Sequence, residues 1–178
     1  MTKEKPLTDN ETIARLKNQL EHKEKALHLI QEIDNIRDQT QNLVPMLSSI
    51  VNLLADEFNT ILCLLALADQ DSGTVELKAV HRQQQTESDV SRLIQRELVE
   101  KAVHLQQVTI LDHNDLIGQF DLPDDLYITA VPIALDPKEP LGALLLARRK
   151  KPFSAADVEL LSIAEQHIDS AVIQGHAH

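Results

Sequence analysis

Cys63, the histidines His81, His104 and His113, and the cluster Asp112-His113-Asn114-Asp115 are the side chains whose types could do chemistry. A reactive thiol needs a cationic, partly exposed setting. Cys63 instead lies in Ile61-Leu-Cys-Leu-Leu-Ala-Leu-Ala68, where it reads as a small core hydrophobe. The histidines would hold a metal or haem only by converging, and none shows the i, i+4 or Cys-His spacing of such a site, so no metal is assigned. An aspartate beside His113 can orient an imidazole, although the same mixture describes any polar loop. The basic run Arg148-Arg-Lys-Lys151 reads as a solvated turn, with an anion site or partner patch as the alternative. There is no Ser-His-Asp elbow, glycine-rich phosphate loop or His-Glu-x-x-His pair. These residues describe a chain that is not an enzyme.

The composition narrows the class further. The chain has 178 residues, 43% apolar, with one Cys and aromatics at 2%, which suits one globular domain and little more. Its net charge of −11 argues against nucleic acid as a partner, because phosphate binding wants a cationic face; few aromatics leave few stacking platforms. The longest apolar runs, Leu43 to Ala55 and Ile61 to Ala68, fall short of the ~20 residues that span a bilayer. The polar start lacks a signal peptide's apolar core, and a lone Cys suits a reducing compartment. A cytoplasmic protein that neither binds nor crosses membranes is expected.

Elements follow from periodicity. Ile13, Leu16, Leu20, Leu27 and Ile30 recur at helical spacing, and Ile33, Ile36, Thr40, Leu43, Leu47, Ile50 and Leu54 alternate +3 and +4. The phase slips by one residue between Leu27 and Ile33, and Lys23 occupies a seam position. This pattern predicts a parallel coiled coil to about Asn42, with Ile33, Ile36, Leu43, Leu47, Ile50 and Leu54 as its dimer contacts. A single amphipathic helix packed on its own domain is the alternative. Pro45 marks a junction, with a second helix from Pro45 to about Phe58. The domain boundary is placed there: 1–43 as coil, 44–178 as a compact domain.

Ile61 to Ala68 predicts a strand buried on both faces. Thr74 to Val80 predicts a half-buried partner, with Val75, Leu77 and Ala79 on one side. Asp89 to His104 is helical, Leu105 to Leu111 a short strand, and His113 to Asp125 an acidic loop. Leu126 to Leu135 and Leu141 to Ala147 are strands joined by Asp136-Pro-Lys-Glu-Pro140. A helix starts at Ser154, paired with Asp157 in a capping box, and stops near Gly175; His176 and His178 belong to a disordered tail or a stub. The fold class is α+β, a mostly antiparallel central sheet flanked by helices and preceded by a long N-terminal helix.

The run Tyr127-Ile-Thr-Ala-Val-Pro-Ile-Ala, then Leu141-Gly-Ala-Leu-Leu-Leu, then Phe153-Ser-Ala-Ala-Asp-Val-Glu-Leu-Leu-Ser-Ile-Ala-Glu-Gln resembles the end of a GAF domain. Pro132 lacks an N–H and fits an edge or a bulge, and Gly142 permits close backbone approach. These positions are structural and say little of chemistry. The resemblance covers about residues 44–174 and implies a regulatory module. Such modules take cyclic nucleotides, tetrapyrroles, amino acids or small anions, or only dimerise. The Asn-Lys…Phe…Asp-Glu motif of cyclic-nucleotide binders and the Cys-His of bilin attachment are missing, and one Cys cannot recycle a disulfide as the methionine sulfoxide reductases of this fold do. No cofactor is named.

By resemblance, the pocket falls on the segment 81–129, with His81, Arg96, His104, Asp112, His113, Tyr127 and Thr129 as ligand-binding candidates. Two functions stay open. One is a sensory GAF homodimer that binds a small molecule and signals through its coil to a partner protein or an output domain. The alternative is a ligand-free dimerisation scaffold for protein–protein interaction.

Overall fold

The computed structural model describes residues 6, 8–69, 71–83, 98–111, 123–136 and 139–176. Helix α1 (Asp9–Gln39) opens on a capping box. The Glu11 N–H donates to Thr8 Oγ1 at 3.2 Å and the Thr8 N–H donates to Glu11 Oε2 at 3.1 Å, satisfying two amide donors that a helix start leaves unpaired. Helix α2 (Leu43–Phe58) carries Pro45 in its first turn, where a missing N–H removes no helical bond. It closes on Asn59, which takes the left-handed conformation at φ 52°.

Strands β1 (Leu62–Ala68) and β2 (Val75–Arg82) follow, then α3 (Val99–Val103), β3 (Thr109–Ile110), β4 (Leu126–Asp136), β5 (Glu139–Arg149) and α4 (Ala155–His176). The strands form one sheet in the order β2-β1-β5-β4-β3, every neighbouring pair antiparallel. The expected α+β class is the observed one. Period-2 alternation sorts the central strands onto two cores. Cys63, Leu65 and Leu67 of β1 and Leu144 and Leu146 of β5 face α1, α2 and α4, while Leu62, Leu64 and Ala66 with Ala143, Leu145 and Ala147 face α3.

The apolar seam has a different use from the expected one. Ile33, Leu47, Ile50 and Leu54 are fully buried inside the chain, and Ile36 and Leu43 pack half-buried against the same core. They hold α1 and α2 on the sheet and on α4, so within the chain these side chains serve its own core. The physical reason is that the second half of α1 has an intrachain partner: α4 runs beside it, and His167 Nδ1 of α4 lies 3.1 Å from Asp34 Oδ1 of α1. Leu29 and Ile33 share one core with α2 and α4, so packing crosses the boundary placed at residue 43. The phase slip is a change of face. Ala26, Leu29 and Ile33 turn inward, whereas Ile13, Leu16, Leu20 and Leu27 face out.

Two smaller differences concern strands. A register shift between Leu65 and Ala66 breaks the expected stripe on β2: Ala79 is buried against the helix side, Val75 packs on the α3 side, and Leu77 is exposed. The strand expected over Leu105 to Leu111 is only Thr109–Ile110. Most of the helix expected over Asp89 to His104 lies outside the described residues; its end is α3.

Candidate functional site

Strand β3 pairs with β4 only at Thr109–Ala130 and Ile110–Thr129. Beyond Ala130, β4 has no strand partner on that side among the described residues. Pro132 sits on this open edge, where the lack of an N–H is harmless. A second register shift at Ile133/Ala134 turns the backbone and brings the Ala134 N–H toward the Asp169 carboxylate of α4, whose charged form it favours. The result is a notch of about 410 Å3, walled by Pro132, Ala134 and Pro140 and closed by the end of α3 on one side and α4 on the other. His104, Gln106, Asp136, Glu165 and Asp169 line it.

Glu165 and Asp169 stand four residues apart on α4, hence on one helix face. Burial pushes the Glu165 carboxyl up to about 7. Burial also pushes Asp169 up to about 7, helped by the neighbouring Glu165 charge and opposed by the Ala134 N–H. Asp169 Oδ1 is buried with no hydrogen-bond partner. Near neutral pH the pair can both accept and donate hydrogen bonds, which suits polar recognition. Neither a thiol, a hydroxyl nor an amine lines the notch among the described residues.

The pair has a stability consequence with a definite sign. A native carboxyl whose pKa lies above the unfolded value binds more protons than the unfolded chain between the two, so stability falls as pH rises from about 4 to about 7. The E165Q/D169N double variant is therefore expected to melt higher than the parent at pH 8, by about 2–4 °C for each kcal/mol regained in a chain of this size. The gain should vanish near pH 4. Thermal melts at the two pH values check it; an equal shift at both would mean that the amides act through packing.

The sequence candidates scatter. His104 lines the notch. His81 lies on the opposite face of the sheet, its Nδ1 3.0 Å from Asn52 Oδ1 of α2. Tyr127 packs on the three-helix core, and Thr129, fully buried with its Oγ1 unpaired, points to the same side as its cross-strand neighbour Leu146. These four do not share one site. Arg96, Asp112 and His113 lie outside the described residues. Gln106, Asp136, Glu165 and Asp169 line the notch and are not among the candidates that the sequence offers. One signal was available: Glu165 follows Ala164 in the stripe Leu161, Ala164, Ile168, Val172, so it borders the buried face of α4. Among the described residues no three His, Cys, Asp or Glu side chains gather to hold a metal ion, and no helix is long and apolar enough to cross a membrane.

A second cleft, of about 500 Å3, lies at the α1–α2 junction beside the end of α4, lined by Arg37, Asp38, Thr40, Asn42, Met46 and Gln174 among others. It marks where three helices meet.

No model of a known protein family matches the chain, and no curated protein matches it by sequence. Its architecture does have solved counterparts. The GAF domain from a phosphoenolpyruvate-protein phosphotransferase of Coxiella burnetii superposes with a TM-score of 0.65 at 18% identity, covering 86% of this chain and 95% of that one. The GAF domain of a putative sensor histidine kinase from Pseudomonas syringae pv. tomato gives 0.66 at 14% identity, over 91% and 96% of the two chains. A free methionine-R-sulfoxide reductase from Neisseria meningitidis, solved with its substrate, gives 0.65 at 13%, over 85% and 90%. At such identities the likeness speaks for architecture alone, and with the antiparallel sheet and its helices it supports one conclusion: this chain has the fold of a GAF domain.

Proposed function

We propose that this chain is a non-catalytic regulatory GAF module that binds a small hydrogen-bonding molecule in the notch beside β4. As a cytoplasmic homodimer it passes the occupancy through α1 to a partner protein or an output domain. The observation that carries the reading is the notch itself. A small-ligand site needs a concave volume with a few placed polar groups, and His104, Gln106, Glu165 and Asp169 provide donors and acceptors around about 410 Å3. A route to α1 exists in the same helix: Glu165 and Asp169 stand on α4, and His167 between them meets Asp34 of α1. A ligand that favours one setting of α4 over another would bias α1 by that difference in affinity. The sensor kinase and phosphotransferase domains of this fold support a regulatory role. The reductase shows the fold with a small substrate bound, but its chemistry does not transfer readily: the one thiol here, Cys63, is fully buried, and burial pushes its pKa up.

A ligand-free dimerisation scaffold is the second reading. The observation favouring it is the α3 face of the sheet, where Leu98, Val99 and Val103 pack on Leu62, Leu64, Ile128 and Leu145 and fill the space with aliphatics. Native mass spectrometry of protein purified from its own host separates the two. The regulatory reading expects a bound small molecule that is lost from E165Q/D169N while the melting curve stays cooperative. A molecule retained by the double variant would remove the notch from the proposal, and an empty wild-type protein would leave the scaffold.

A further inference from the structure

Helix α1 carries two apolar stripes, and only one is used. Ala26, Leu29 and Ile33 face the chain's own core, whereas Ile13, Leu16, Leu20 and Leu27 are 52%, 53%, 58% and 56% exposed. Every residue from Ile13 to Glu21 is exposed. The helix nevertheless starts on a complete capping box, so it is built to persist out to Asp9. The exposed positions keep a 3–4 spacing, interrupted at Lys23 and ending at half-buried Ile30. That is a coiled-coil seam without a partner.

We propose that this stripe is the contact with a second copy of the chain, and that the two helices run antiparallel. The inference rests on the dimeric reading above and names its surface and direction. Charge selects the occupant. Residues 9–30 hold four acidic side chains (Asp9, Glu11, Glu21, Glu24) and four basic ones (Arg15, Lys17, Lys23, Lys25), a net of zero in a chain of net −11. Two copies therefore meet along α1 without the like-charge cost that a contact between their acidic remainders would carry. Lys23 selects the direction. In a parallel, in-register pair it would face its own copy across the seam, ammonium to ammonium. In an antiparallel pair centred between Leu20 and Lys23, Ile13 meets Ile30, Leu16 meets Leu27, and the Lys23 stem lies over Leu20. Lys17 then falls beside Glu24 on the flank. A seam of so few layers is below the roughly 800 Å2 per partner of a standard interface, so the dimer is expected to be reversible and micromolar rather than obligate.

The experiment uses the full chain. Sedimentation at about 100 μM is expected to show a dimer, and Leu20→Glu should weaken it at least tenfold; in melts dilute enough to be monomeric the melting temperature should not fall, because Leu20 touches no core. Leu16→Cys and Leu27→Cys are then oxidised separately and mixed; Cys63, fully buried, remains inert. The mixture should cross-link at least tenfold more than either variant alone, since like positions sit about 16 Å apart along an antiparallel axis. Self-cross-linking of each variant alone would overturn the antiparallel direction and leave the dimer standing. A dimer indifferent to Leu20→Glu would overturn the stripe. A wild-type monomer at this concentration would overturn both this inference and the dimeric reading beneath it.

Discussion

Replacing Arg148 with alanine is expected to destabilise the fold by about 3–5 kcal/mol, the range for removing one member of a buried, hydrogen-bonded charge pair. Arg148 is only 5% exposed. Its Nε donates to the Lys151 carbonyl at 3.0 Å, its Nη1 to the Phe58 carbonyl at 3.1 Å, and its Nη2 to the Pro152 carbonyl at 2.8 Å and to Asp157 Oδ2 at 2.6 Å. The guanidinium also stacks 4.1 Å from the Phe153 ring centre. One side chain thus ties the end of α2, the turn after β5 and the first turn of α4. Alanine would leave three carbonyls without this donor and the Asp157 carboxylate with only the Ser154 N–H. Arg148→Lys keeps the charge but cannot span this fork, and should fall between the two in urea unfolding.

The acid limb gives an independent check on the same pair. Burial tends to raise the Asp157 pKa, yet hydrogen bonds from the Ser154 N–H and from Arg148 outweigh it and hold the carboxyl below its ordinary range. Stability from a lowered carboxyl is complete above the unfolded value of about 4 and is lost as pH falls through the native one. The gap in melting temperature between wild type and Arg148→Ala should therefore narrow between pH 5 and pH 2. A gap independent of pH would mean that packing on Phe153, and not the ion pair, accounts for the loss.

Gly142→Ala is expected to cost about 3 kcal/mol or more, at or beyond the upper end for overpacking, and to lower the melting temperature by roughly 6–12 °C. A Cβ at this position would run into the Ala66 carbonyl oxygen of β1 and come within 2.9 Å of Leu67 Cδ2. The obstacle is backbone, so it yields only if β1 and β5, the paired centre of the sheet, move apart. Gly73→Ala is the control. Gly73 has φ +71° and open space around it, so alanine there meets only the left-handed penalty of about 1–2 kcal/mol. Equal losses at the two sites would show that β1 and β5 adjust more freely than their register implies.

How far the fold was legible depends on the range of each signal. The capping pair Ser154–Asp157 was readable because both of its bonds span three residues, 2.9 Å from the Ser154 N–H to Asp157 Oδ2 and 3.1 Å from the Asp157 N–H to Ser154 Oγ. The β1 run was readable because a strand buried on two faces has no polar position to hide. The Pro45 junction was readable because proline tolerates only a first turn inside a helix. Arg148 reads from its neighbours as part of a solvated run, although Leu144, Leu146 and Arg148 share a face by strand alternation. Its charge points outward in the sequence, whereas its parity along β5 places it inside.

Periodicity states which face of an element is apolar, and it does so from neighbours a turn or a pleat away. It is silent about what lies against that face. The sequence thus established a long helix with one apolar seam that slips phase between Leu27 and Ile33, but tertiary packing set its second part against α4, through a contact such as Asp34–His167 that spans 133 positions of chain, and left its first part exposed. The notch has the same origin: α3, the open edge of β4 and α4 each carry unremarkable polar residues, and only the sheet order brings them around one volume. Local steric and hydrogen-bond preferences are written in adjacent residues, whereas burial is a property of the assembled chain.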